Sequence, residues 1–128
     1  MVAQAAAPSV INGTTVHTRA TTYTVTCLPD DPYDGDAWAI TVEFRGAWKY
    51  SEPRPEDQQW AVRLRTHWHL SHDGKWDLDP GDIDDRDDWL ANHRFDLETA
   101  LKVAAEQAPH VVVNGLTPAQ LLAWRAGR

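Results

Sequence analysis

The stretch Gln59-Trp60-Ala61-Val62-Arg63-Leu64-Arg65-Thr66-His67-Trp68-His69-Leu70, residues 59–70, decides the fold. Trp60, Val62, Leu64, Trp68 and Leu70 fall on even positions, and Arg63, Arg65, His67 and His69 fall on odd ones. Successive side chains of an extended chain point to opposite sides, so this alternation spells a strand with one apolar and one cationic face. The same arithmetic holds upstream, where Trp38, Ile40, Val42, Phe44, Trp48 and Tyr50 alternate with Thr41, Glu43, Arg45 and Lys49. Gly46 breaks that parity and predicts a bulge or a bend. Downstream, His72-Asp73-Gly74-Lys75 reads as a tight turn into a short strand carrying Trp76 and Leu78. Thr14 to Cys27, dense in Thr, Val and Tyr, adds a first strand with a bend. The segment between it and Trp38, with Pro29, Pro32, Gly35 and four aspartates, is a loop. An antiparallel β-meander of three to five strands is the expectation.

Past Pro80 the period changes. Leu97, Ala100, Leu101, Ala104 and Ala108 recur at helical spacing, with Asp96 placed to cap the helix and Pro109 to stop it. A shorter helix is expected over 85–92, with Trp89 and Leu90 turned inward. Val111-Val112-Val113 is a candidate short strand before the Asn114-Gly115 turn. Thr117-Pro118-Ala119-Gln120 is a capping-box pattern opening a last helix with Leu121, Leu122 and Trp124. The fold class is therefore α+β, a meander with C-terminal helices packed on one face and the other face wet. Residues 1–13, Ala-rich and ending in Asn12-Gly13, read as a flexible N-terminal arm, and residues 14–128 as a single domain. The core is expected to hold Trp38, Val42, Trp60 and Leu64 beneath the helix of Leu97, Leu101 and Ala104.

Twelve Lys and Arg against nineteen Asp and Glu give the 128-residue chain a formal charge of -7, which disfavours general nucleic-acid coating. A single cysteine, Cys27, excludes an internal disulfide or a CxxC pair and reads as a small core residue. No apolar run approaches a membrane span, and Met1 to Val10 lacks the marks of a secretory signal, so a cytoplasmic protein is expected. On that basis the Asn12-Gly13-Thr14 sequon is a chance match.

The tryptophans on the apolar parity read as core rather than as a stacking platform, because Ile40, Val42, Val62 and Leu64 share their face. There is room for one exposed indole at the rim. His67-Trp68-His69-Leu70-Ser71-His72 invites a metal reading, yet only His67 and His69 share a parity and no local acid or cysteine completes the set. Arg63, Arg65, His67 and His69 are instead the candidate partner-binding residues, a cationic strip suited to an acidic surface. The competing role for the strip is cross-strand pairing with residues such as Glu43. The aspartate run from Asp77 to Asp88 fails as a calcium loop, with Asp82 where the turn glycine belongs and Asp88 where the bidentate glutamate belongs. It reads as a solvated helix start, with imitation of a phosphate row as the alternative. Ser9, Ser51 and Ser71 lack a nucleophile-elbow setting. No catalytic residue, metal ligand or cofactor is assigned.

Trp76 and the run Asp88-Trp89-Leu90-Ala91-Asn92-His93-Arg94-Phe95-Asp96-Leu97-Glu98-Thr99-Ala100-Leu101, followed by Pro109-His110-Val111-Val112-Val113-Asn114-Gly115, resemble small uncharacterised proteins of actinobacteria and their phages. The resemblance spans roughly the last half of the chain and implies an accessory protein, with no activity or site residue attached. The functional expectation is a non-enzymatic interaction module with a protein partner, nucleic acid and membrane being disfavoured and self-association left open. The alternatives are a small metal- or histidine-dependent enzyme using the His67/His69 strand face, and an acidic nucleic-acid mimic.

Overall fold

A computed structural model of the chain describes residues 6–29, 35–47 and 57–127. Among these residues seven strands and three α-helices follow one another: β1 (Ala6–Ile11), β2 (Thr14–Thr18), β3 (Thr22–Val25), β4 (Ile40–Ala47), β5 (Gln58–Leu64), β6 (Trp68–Leu70), β7 (Trp76–Leu78), α1 (Arg86–Asn92), α2 (Leu97–Gln107) and α3 (Pro118–Ala126). Strands β3 to β7 pair in chain order as one antiparallel sheet, the α+β meander that the alternation predicts. Gly46, at φ 98°, lies where the β4–β5 register shifts, so the parity break is a bulge.

The expected first strand is divided. Its first part, β2, turns back at Asn12-Gly13 and pairs with β1, so part of the N-terminal arm forms a strand of a separate hairpin whose β2 residues are all exposed. Only β3 joins the meander, and Cys27, beyond its end, is exposed rather than in the core. The Val111–Val113 strand does not form. Val113 and Leu116 make an isolated bridge around Asn114-Gly115, which is too short a pairing to seed a strand. Trp48 and Tyr50 lie outside the described residues.

One face of the sheet meets α2. Ile40 and Val42 from β4, Trp60, Val62 and Leu64 from β5, and Leu70 from β6 are buried with Trp38 against Ala100 and Ala104. Alanine at these turns lets α2 approach the sheet closely, while Leu97, Leu101 and Val103 fill its flanks. Trp60 is the centre of the layer, its ring 5.3 Å from that of Phe44 and 5.9 Å from that of Tyr23. Pro109 ends α2 in a 3-10 turn, Ala108–His110. The Thr117–Gln120 capping box opens α3 as expected, and Leu121 is the α3 side chain after Pro118 that reaches the core, whereas Leu122 and Trp124 are exposed.

The apolar row continues past the cover of α2. Trp68 faces Leu64 across the β5–β6 pair and Leu78 across the β6–β7 pair, yet Trp68 is 38% and Leu78 56% exposed. The parity of Trp68 is as the alternation predicts, but no helix among the described residues buries the ring.

These two indoles separate packing from parity. Trp60→Ala should lower unfolding free energy by about 3–5 kcal/mol in a denaturant titration, through loss of a fully buried ring. Trp68→Ala should cost less than half as much, and equal losses would mean that β6 is covered in solution.

Candidate functional site

The second face of the sheet is polar and is built by register. Thr41, Arg63, His69 and Asp77 are Cα partners in sequence across β4, β5, β6 and β7, so their side chains form one row. Glu43 and Ala61 begin the neighbouring row. Phe95, in the connection between α1 and α2, exchanges two backbone hydrogen bonds with Trp60, at 2.8 and 3.0 Å. This bridge makes residues 94–95 a short extension of the sheet beside β5. Phe95 joins Trp60 on the apolar side, and Arg94 is set beside Ala61 on the polar side.

The expected strip of Arg63, Arg65, His67 and His69 is only partly realised. Residues 59–70 do not run straight: Arg65 and Thr66 adopt positive φ, 52° and 65°, and fold the stretch into the β5–β6 hairpin. Because Leu64 pairs with Trp68, the parity survives the reversal, and Arg63 and His69 end up side by side. Arg65 and His67 fall in the turn, where both are exposed. There the Arg65 guanidinium donates to the carbonyl of Val112 at 2.6 Å, away from the polar face. His69 does not project into solvent. It is 3% exposed, because α1 brings the Trp89 indole edge-on to its ring at 5.3 Å.

Two residues outside the strip complete the cluster. Arg45 and Arg63 both reach the Glu43 carboxylate, at 3.7 and 2.5 Å. Arg94 is 8% exposed, donates from one terminal nitrogen to the His93 carbonyl, and lies 5.9 Å from the centre of the Trp89 ring. Trp89 stacks in turn on His93 at 4.0 Å. His93 is fixed between the Trp89 carbonyl at 2.6 Å and the Asp77 carboxylate at 2.8 Å. Arg86 holds Asp79 at 2.7 Å, and this bond keeps the Asp79 carboxyl well below its ordinary range. Two members of the aspartate run therefore have structural partners.

Three nitrogens of the cluster have none. Arg63 Nε, His69 Nδ1 and Arg94 Nε are buried and make no hydrogen bond among the described residues. Burial, reinforced by the Arg94 and Arg63 charges, pushes the His69 imidazole down to about 4. Burial, with Arg45 adding to it, pushes the Arg94 guanidinium down to about 10. Both shifts report desolvated groups in a locally positive field within an acidic chain.

Arg94 and Trp89 were missed as site residues because nothing periodic marks a connection between helices. The available signal was Phe95 directly before Asp96, which holds the N-cap position of α2 without a side-chain capping bond, since an apolar residue anchored there turns its neighbour the other way.

Among the described residues an open cleft of about 550 Å³ is lined by Gln58, His72, Arg94, Phe95, Asp96 and Thr99 among others. His72 is engaged in it, bonded to the Arg94 carbonyl at 2.6 Å and packed on the Phe95 ring. Neither His67 nor His69 lines this cleft, and among the described residues no three His, Cys, Asp or Glu side chains gather to hold a metal ion. No described helix is long and apolar enough to cross a membrane. No family model, curated protein or solved structure matches the chain.

The buried imidazole has a measurable signature. The unfolded chain protonates His69 near pH 6.5 and the folded chain near pH 4. Stability should therefore be level in this respect above about pH 6.5 and fall as pH drops towards 4, by up to about 3 kcal/mol. Denaturation of His69→Gln should show a shallower slope over that window, and an unchanged slope would mean that His69 is hydrated in the folded state.

Proposed function

We propose that the chain is a non-enzymatic interaction module that engages an acidic protein partner through the polar face of its sheet, with Arg45 and Arg63 at the rim and Arg94 at the centre. One observation carries the reading: Arg94 is a nine-tenths buried guanidinium with no carboxylate in contact among the described residues. Burying an ion without its counter-charge costs several kcal/mol, and a partner that brings negative charge would recover part of it. Around it, Arg45 and Arg63 share the carboxylate of Glu43, while the chain as a whole is strongly acidic. A polyanion such as DNA meets that overall charge and is repelled, whereas an acidic protein surface of limited size meets the positive face.

The histidine-dependent enzyme is less well supported, since His67 sits in an exposed turn and His69 lies under Trp89. The setting proposed with the interaction module is an accessory protein of an actinobacterium or its phage acting on a host factor.

Capture from host lysate at low ionic strength, followed by mass spectrometry, tests the reading. An acidic protein should be retained and released as salt rises from about 0.05 to about 0.5 M. Arg45→Glu, a rim change that leaves the core intact, should abolish the retention. A retained protein indifferent both to salt and to Arg45→Glu would overturn the proposal.

A further inference from the structure

We propose that the polar face holds a phosphoryl oxyanion over Ala61, gripped by Arg63, Arg94 and His69 beneath the Trp89 ring. This deepens the reading of an acidic partner by naming the group that the face grips, and it rests on that reading only for where the group comes from.

The three residues are neighbours by register. Arg63 and His69 are direct cross-strand partners, and the Trp60–Phe95 bridge sets Arg94 beside Ala61, two residues from Arg63 on the same face. Ala61, wholly buried, puts only a methyl group on the sheet between Arg63 and Arg94. Each of the three presents a buried nitrogen without an acceptor among the described residues. In its Nδ1–H tautomer His69 is a third donor that adds no charge. Trp89 forms the roof from α1, a seven-residue helix with no buried residue, so the roof is lightly held.

Charge and shape select the class of anion. Glu43 already gives Arg45 and Arg63 their carboxylate, and Asp77 and Asp79 are taken by His93 and Arg86. Three guanidiniums stand against Glu43 and against Asp77, the cross-strand partner of His69, so positive charge remains in excess on this face. A phosphate monoester carries about -1.5 to -2 near neutral pH and so brings more negative charge to that excess than one carboxylate does. A carboxylate also offers two oxygens in a plane, which suit one guanidinium fork. A phosphoryl group offers three oxygens in three directions, one for each donor. A phosphorylated side chain of a partner and a free phosphate monoester share this chemistry.

The test follows the side-chain N–H signals of Arg63, Arg94 and His69 by NMR at constant ionic strength. The probes are inorganic phosphate, a phosphoserine hexapeptide and the same peptide with glutamate in place of phosphoserine. Inorganic phosphate should shift all three signals saturably, and the phosphopeptide should bind at least about tenfold more tightly than the glutamate peptide. Arg94→Lys, which keeps the charge but loses the fork, should weaken phosphate by about tenfold or more, while Arg65→Ala should leave it unchanged. Arg63→Lys serves as the second variant should Arg94→Lys not fold. Phosphate binding without phosphopeptide binding supports the site and assigns the source to a free monoester. Unmoved signals with phosphate, equal affinity for the glutamate peptide, or wild-type phosphate affinity in the lysine variants would overturn the proposal. Equal affinity for glutamate would leave the acidic-partner reading standing, and loss of lysate capture with phosphate binding intact would do the reverse.

Discussion

The reciprocal hydrogen bonds between Trp60 and Phe95 are the constraint on which the rest depends. They fasten the connection between α1 and α2 to β5 as a two-residue extension of the sheet. Three consequences follow from one pairing. Phe95 enters the apolar layer at the start of α2, so α2 begins against the strands that it covers. Arg94, one residue earlier, is turned to the opposite face beside Ala61. The preceding helix α1 is drawn over that face, bringing Trp89 onto His69 and His93. Without the bridge, the residues before α2 would be an ordinary surface loop and Arg94 a solvated side chain.

The two faces of the sheet are held by different physics. The apolar face gains by removing aromatic and aliphatic surface from water, at about 25 cal/mol per Å². The polar face gains little of that kind and buries charge instead. Exposed ion pairs such as Lys75–Asp73 contribute little, because solvent screens them. The Arg63–Glu43 and His93–Asp77 contacts are more enclosed and fix the positions of their partners more than they stabilise the fold. Arg94 and His69 then remain as desolvated groups without an acid in contact among the described residues, a local conflict of the kind found where structure has been kept for binding.

Much of the fold was legible because it rests on periodicity. The alternation in residues 59–70 assigned faces correctly even though the chain reverses at Arg65-Thr66, since the Leu64–Trp68 pairing preserves parity across the hairpin. The capping box and the helical stripe of α2 were legible for the same reason, being local patterns with fixed spacing. Cover was not legible. Nothing local indicates that α2 stops short of Trp68 or that α1 crosses to the other face, and these two facts exposed an expected core indole and buried an expected surface histidine. The site was accordingly half visible. Arg63 and His69 share a face as the pattern requires, whereas Arg94 comes from sequence some thirty residues away and enters only through a backbone bridge that no side-chain pattern encodes.

The placement of Arg94 is therefore the claim to measure. In an antiparallel pair, residues flanking a hydrogen-bonded pair bring their Cα atoms to about 4.5 Å, close enough for a strong nuclear Overhauser effect between the two Hα protons. A strong Hα–Hα effect between Ala61 and Arg94 is predicted. Its absence, with the corresponding effects between β4 and β5 present, would mean that residues 94–95 do not extend the sheet and that the buried cationic face is not formed.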